Sequence, residues 1–258
     1  MKRLGIIGYP LSHTKSPQLH DAFASFFDLD LTYLVHSIPE NQLKKILEEV
    51  RNGHISGLNV TIPYKEKVIP LLDDLTEKAK KIGAVNTIYL KDKKIIGDNT
   101  DYDGFKGLIE KSGLDLKDKR FLILGTGGAA KAVYHVLNDL GYKIQVVSRT
   151  KRLDKDFGEV IGYDDLNPKD YDVIVNTTPV GMYPDQESSP LDQKFVKGKI
   201  VFDLIYNPLE TKLMRFAEHA FNGINMLIIQ GIKAESIWHQ KEFKITDELL
   251  KHIKGAIL

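Results

Sequence analysis

The chain contains no cysteine, which excludes disulfides, thiolate metal sites and a cysteine nucleophile, and fits a reducing compartment. It also lacks net charge of either sign. Thirty-six Lys and Arg against 35 Asp and Glu leave +1, no electrostatic reason to expect nucleic acid or an anionic membrane as partner. Long hydrophobic runs are missing as well. The opening run ends at Tyr9-Pro10, too short for a signal-peptide core or a bilayer span. Residues 226–232 are apolar but soon meet Lys233 and Glu235, as in a buried helix. A cytoplasmic location is expected, with no membrane partner. His20, His36, His54, His135, His219, His239 and His252 show no metal-ligand spacing, so no metal is expected. His13 is assigned a structural role. Trp238, the single tryptophan, and the phenylalanines are assigned to the core.

What is present is an ordinary globular composition, 42% hydrophobic and 28% charged over 258 residues, enough for one large domain or two medium ones. Short apolar runs alternate with amphipathic stretches, the pattern of α/β architecture. Residues 4–8, 31–36 and 57–61 read as strands, 16–27 and 40–51 as helices, and 85–90 with 94–97 as a hairpin. A second set begins with a buried strand at 120–124, followed by strands at 143–148, 172–176 and 200–204. Helices are predicted over 128–139, 210–221, 227–240 and 246–256. Residues 183–198 read as a polar loop, the segment expected to be most mobile. The sets divide near 98–104 without a flexible linker, so two lobes joined by helices are expected, with a cleft for a small molecule between them.

Gly125-Thr126-Gly127-Gly128-Ala129-Ala130 is a Gly-x-Gly-x-x-Ala turn between a predicted strand and a predicted helix. The first glycine permits the tight turn, the second admits a pyrophosphate to the backbone, and the small third residue lets helix and strand pack closely. The helix start offers free N–H groups to phosphates. Where NAD-preferring folds place a carboxylate after the second strand, this chain has Ser148-Arg149-Thr150-Lys151-Arg152. Arg149 can bind a 2′-phosphate through its planar fork, so NADP is the expected cofactor; a plain solvated basic turn is the alternative.

The first half carries polar runs next to predicted strands: His13-Thr14-Lys15-Ser16-Pro17, Asn59-Val60-Thr61-Ile62-Pro63-Tyr64-Lys65, Asn86-Thr87 and Asp98-Asn99-Thr100-Asp101. A substrate with several hydroxyls needs such hydroxyls and amides, and hydride transfer to a carbonyl needs a proton donor, which a Lys–Asp pair can supply. Singly, Thr14 and Ser16 could cap a helix, Lys65 could be a solvated helix residue, and Asp101 could be an N-cap.

Together, these runs resemble the shikimate dehydrogenase family, whose motifs recur in order from residue 5 to about 240. They include Gly8-Tyr9-Pro10 with the following Ser/Thr run, Asn59 to Lys65, Gly83 to Thr87, Gly97 to Asp101, Asn176-Thr177-Thr178 with Gly181-Met182, Asp203 to Pro208 with Thr211, and Gly223, Met226-Leu227 and Gln230. The resemblance implies an α/β chain of two lobes. An N-terminal substrate-binding and catalytic domain would span 1–101 and a Rossmann-like NADP-binding domain 102–226, with C-terminal helices over 227–258 returning to the first lobe. It implies reversible, NADP-dependent reduction of 3-dehydroshikimate to shikimate by a monomer or homodimer, with Lys65 and Asp101 as the acid–base pair. Desolvation would lower the lysine pKa and Asp101 would raise it. Thr14, Ser16 and Tyr206 would bind the substrate carboxylate, and Asn59, Thr61, Asn86 and Gln230 its ring hydroxyls. Gly125, Thr126, Gly127, Gly128, Ala129, Ser148, Arg149, Thr150, Lys151, Arg152 and Thr177 would hold NADP, with Met182 and Gly223 near its nicotinamide. A cis Ile62–Pro63 bond is implied too. Departures are Thr14 for Ser, Ser148 for Asn, Gly231 for Ala, no basic residue at Leu153 or Asp154, and a short segment after Thr150, where a helix is expected to be truncated or absent. A broader quinate/shikimate dehydrogenase, a methylenetetrahydrofolate dehydrogenase and a non-catalytic NADP-binding regulator are the rival readings. The paired Lys65 and Asp101 disfavour the last.

Overall fold

The computed structural model describes residues 1–11 and 14–258; Ser12 and His13, with the structural role expected of the latter, lie outside the described residues. The chain divides into two compact units, Met1–Gly104 with Leu227–Leu258, and Phe105–Met226.

The first unit contains β1 (Lys2–Gly8), α1 (Ser16–Phe27), β2 (Leu31–Ser37), α2 (Leu43–Arg51), β3 (Gly57–Val60), β4 (Asp74–Leu75), α3 (Glu77–Ile82), β5 (Thr87–Lys91) and β6 (Lys94–Asp98). Helix α4 (Asp101–Ser112) leads out of it. The strands form a six-stranded sheet in the order β2-β1-β3-β5-β6-β4. The pairs β1–β2, β1–β3 and β4–β6 are parallel, and β3–β5 and β5–β6 antiparallel. Because side chains alternate along a strand, β1 serves two cores. Ile7 packs with Leu43, Leu47 and Val50 of α2, whereas Leu4 and Ile6 face Tyr33 and the later Ala234 and Trp238. Strand β1 lies between the strands that follow it on either side, so the chain leaves the carboxyl ends of β1 and β3 in opposite directions. Such a switch point opens a crevice where ligands bind in α/β sheets.

The second unit contains β7 (Arg120–Leu124), α5 (Gly128–Asp139), β8 (Lys143–Ser148), β9 (Arg152–Asp154), β10 (Gly158–Gly162), β11 (Val173–Asn176), α6 (Gln193–Val196), β12 (Ile200–Asp203), α7 (Lys212–Arg215) and β13 (His219–Asn222). Its sheet runs β13-β12-β11-β7-β8-β10-β9, all parallel except the β9–β10 pair. Omitting β9, the order is that of a doubly wound dinucleotide-binding sheet, with the switch point between β7 and β11. The chain returns to the first unit through α8 (Ile224–His239) and α9 (Asp247–Ile257).

Two sequence expectations are corrected. Residues 210–221 are not one helix: α7 is a single turn capped by Thr211, and β13 then pairs with β12. The helical spacing of apolar residues yields to the ladder, in which Phe221 stacks on Phe202 at 5.1 Å and 19°. The loop 183–198 also ends in structure, the turn α6, where Val196 is fully buried. Between β8 and β10 there is no helix, in line with the short segment; the β9–β10 hairpin takes its place. Gly231 has a packing reason, since a Cβ there would lie 2.6 Å from Leu19 of α1. Among the described residues no helix is long and apolar enough to cross a membrane, and no cluster of candidate metal ligands occurs.

Candidate functional site

In the first unit the polar runs converge through the sheet. Lys65 follows β3 after the cis Ile62–Pro63 bond, and Asp101 opens α4. The Lys65 ammonium donates to Asp101 Oδ2 at 2.5 Å, with the two side chains 16% and 9% exposed. Asp101 Oδ1 accepts from Asn86 at 2.9 Å. With both carboxylate oxygens engaged by side chains, Asp101 is no mere cap. Asn99 serves the helix start instead, accepting the Tyr102 N–H.

Asn86 is the centre of this cluster. Its amide group donates to Thr100 at 3.0 Å and to Gln230 at 3.4 Å, and its oxygen accepts the Thr100 N–H at 2.7 Å. Gln230 is held by its own bond to the Leu227 carbonyl. Asn59, on β3, donates to the Asn86 carbonyl and accepts from the Tyr33 hydroxyl at 2.6 Å. Thr61 stands at the end of β3, pinned by its N–H to the Ile7 carbonyl. At the start of α1, Thr14 and Ser16 hydroxyls bond each other at 3.1 Å, and Thr14 also accepts the Ser16 N–H. Lys15, the N-cap residue, makes no side-chain bond. The residues around Asn86 form one connected polar cluster, in which Lys65 brings the cation and Asp101 the carboxylate.

In the second unit Gly125 ends β7 with φ +103°, a conformation open to glycine at little cost. Gly127 caps α5 with no side-chain bond, and a Cβ there would meet nothing within 4 Å. Thr126, Gly128 and Ala129 line the same half-buried turn. Thr177, after β11, donates to the Leu124 carbonyl at 2.6 Å. An unfilled glycine turn at an uncapped helix start fits a pyrophosphate.

The basic turn is less uniform than its sequence. Ser148 and Thr150 are tied together in a local turn. Lys151 pairs with Asp165 at 3.2 Å and Arg152 with Asp154 at 2.8 Å, whereas exposed Arg149 forms no ion pair among the described residues. Met182 is exposed, Tyr206 is half-buried after β12, and Gly223 is buried. A Cβ at Gly223 would lie 2.1 Å from the Leu204 carbonyl oxygen.

Sequence reasoning missed Asp203 as a titrating group. Burial pushes its carboxyl up to about 6, although bonds from Thr211, the Ile205 N–H and Asn176 pull it down. An unfolded aspartic acid releases its proton near 3.9, so between about 4 and 6 the folded chain holds the extra proton and stability falls as pH rises. Asp203→Asn is expected to remove that slope and to stabilise the chain by about 1–3 kcal/mol above pH 6. Melting temperatures of both proteins at pH 4.5 and 7.5 check this; an equal change in the two would refute it. His20, Tyr33 and Glu235 were also missed, for lack of any local signal.

A doubly wound sheet with an open glycine turn, in a chain that also carries a partly buried lysine–carboxylate pair, has the parts of a dinucleotide-dependent oxidoreductase. The chain belongs to the shikimate dehydrogenase family. Residues 6–88 match the family model of the shikimate dehydrogenase substrate binding domain. A shikimate dehydrogenase (NADP(+)) of Clostridium beijerinckii is 39% identical over 261 residues, covering 96% of this chain and 97% of the relative. Shikimate dehydrogenase 1 of Peptoclostridium difficile superposes with a TM-score of 0.88 at 35% identity, over 100% of this chain and 98% of that one. The shikimate 5-dehydrogenase of Thermus thermophilus, solved with NADP(H) and shikimate, gives 0.88 at 30% identity over 99% and 100%.

Proposed function

We propose that this chain catalyses the reversible, NADP-dependent reduction of 3-dehydroshikimate to shikimate, the first unit binding the substrate and the second the cofactor. The observation that carries the reading is the Lys65–Asp101 pair at 2.5 Å within the Asn86-centred cluster, in a member of this family. During reduction the Lys65 ammonium protonates the developing alkoxide; in oxidation Lys65 takes the proton from the shikimate hydroxyl. Asp101 orients the lysine and accepts from that hydroxyl. Asn59, Thr61, Asn86 and Gln230 hold the other ring hydroxyls, and Thr14, Ser16 and Tyr206 the carboxylate.

Bound NADP supplies the hydride acceptor, C4 of its nicotinamide. Gly125, Thr126, Gly127, Gly128 and Ala129 receive the pyrophosphate, and Arg149, with Ser148 and Thr150, the 2′-phosphate. Lys151 and Arg152 contribute less, each being neutralised by a carboxylate. Thr177, Met182 and Gly223 flank the nicotinamide. The enzyme works in the cytoplasm, as a monomer or homodimer, on a small-molecule substrate.

The test is absorbance at the reduced-nicotinamide band with shikimate or quinate, each with NADP or NAD. Rapid reduction with shikimate and NADP alone supports the reading. Activity with quinate or NAD moves specificity to the broader relative, and no activity with any pair revives the regulator. Arg149→Ala is expected to raise the KM for NADP about 10- to 100-fold, the worth of a charge-assisted bond, and to leave that for NAD within twofold. Steady-state titration of both cofactors measures it. An unchanged KM for NADP would transfer the phosphate to Lys151 or Arg152.

A further inference from the structure

Beneath the polar cluster lies a group of ionisable side chains that the mechanism does not use. Glu235 of α8 and His20 of α1 are both wholly buried, with His20 Nδ1 2.5 Å from Glu235 Oε1. On the other carboxylate oxygen, His239 Nε2 stands at 3.2 Å. Burial pushes the Glu235 carboxyl up, but its two histidine neighbours outweigh this and hold it below the usual carboxylate range. A buried ionic group adds little stability over apolar packing, and in some proteins it serves to fix one arrangement among several.

The arrangement fixed here is that of Tyr33. The His20 ring lies flat on the Tyr33 ring, with centroids 4.1 Å apart and planes within 9°. His20 Nε2 has no hydrogen-bond partner among the described residues, so the bond to Glu235 and the stack set its orientation. Trp238 flanks both rings, 5.5 Å from His20 and 6.5 Å from Tyr33. The Tyr33 hydroxyl thus has a defined place, and from there it donates to Asn59 Oδ1 at 2.6 Å. One buried hydroxyl therefore fixes a residue proposed to hold the ring hydroxyls.

We infer that Tyr33, oriented by the buried His20–Glu235–His239 group, is a positioning residue that fixes Asn59 for its contact with the ring hydroxyls of the substrate. The inference rests on the proposed function. Tyr33 acts through Asn59, so its loss is felt in substrate affinity rather than in proton transfer. The Tyr33→Phe change keeps the ring, the stack and the packing, and removes the bonding hydroxyl alone.

The experiment is steady-state kinetics of shikimate oxidation by wild type, Tyr33→Phe, Glu235→Gln and the double variant, with melting curves for each. Tyr33→Phe is expected to raise the KM for shikimate about tenfold, with kcat and the KM for NADP within twofold and the melting temperature nearly unchanged. Glu235→Gln is expected to raise the shikimate KM severalfold, and the double variant to be no worse than Tyr33→Phe. A shikimate KM within twofold of wild type in folded Tyr33→Phe overturns the inference. So does a double variant whose effects multiply, since the buried group would then act by another route. A wild-type chain inactive on shikimate would instead overturn the functional reading on which the inference rests.

Discussion

Replacing Lys65 by alanine is expected to lower the turnover of shikimate oxidation by a factor on the order of 10² or more, the usual loss for a general acid–base group. The KM for shikimate should move only a fewfold, because Asn59, Thr61, Asn86 and Gln230, proposed to hold the ring, remain. Lys65 is a single donor at the rim of a cluster that is otherwise self-sufficient: Asp101 keeps its bond from Asn86, and Asn86 its bonds to Thr100 and Gln230. Removing the ammonium therefore removes the proton carrier and leaves the binding groups in place. Lys65→Arg separates charge from proton transfer, since a guanidinium keeps the charge but does not release its proton. It should be nearly as slow as the alanine variant. Single-turnover and steady-state rates of all three proteins decide the matter, and near-normal turnover in Lys65→Ala would remove Lys65 from the mechanism.

Gly223→Ala should produce the largest loss of stability, about 3 kcal/mol or more, because the added methyl meets main chain rather than a movable side chain. Its Cβ would stand 2.1 Å from the Leu204 oxygen and 2.6 Å from the Leu204 carbonyl carbon. Leu204 follows β12, and its N–H is bonded to the Asn176 carbonyl, so it cannot retreat without disturbing the parallel ladder. The melting temperature without cofactor should fall by roughly 6–12 °C for a chain of this size. The glycine was singled out for the nicotinamide, and the measurement divides the two roles. An unchanged melting temperature with a weaker affinity for NADP would assign Gly223 to the cofactor, whereas the expected loss assigns it first to the fold.

Nine strands were legible because each is a short apolar run bounded by turn residues: β1, β7 and β11 are where hydropathy places them, whereas β4, β9, β10 and β13 were not foreseen. The helix expected over 210–221 was not, because Leu213, Phe216 and Ala217 repeat at helical spacing while Phe221 is claimed by the neighbouring strand. The hairpin that stands between β8 and β10 was foreseeable only as a missing helix. At the site, the residues quoted in motifs lie near strand ends, where an α/β sheet collects them. Their partners are another matter. His20 meets Glu235 across 215 positions, and nothing in either local sequence pairs them. Lys151 and Arg152 show the converse limit. Three cations within four residues read as a uniform basic turn, but Asp165 and Asp154, supplied by the fold, pair with two of them.

That hairpin has an evolutionary consequence. The side chains that set the charge of the basic turn proposed to hold the 2′-phosphate, Arg149, Lys151, Arg152, Asp154 and Asp165, are all exposed or half-exposed, and Leu153 between them is 88% exposed. Surface substitutions of this kind usually change stability by no more than about 0.5 kcal/mol. Selection can therefore swap one of these carboxylates or cations in a single mutational step without first acquiring a compensating change in the core. With that turn as the proposed 2′-phosphate site, a lineage carrying this sheet can exchange cofactor preference without repacking its core.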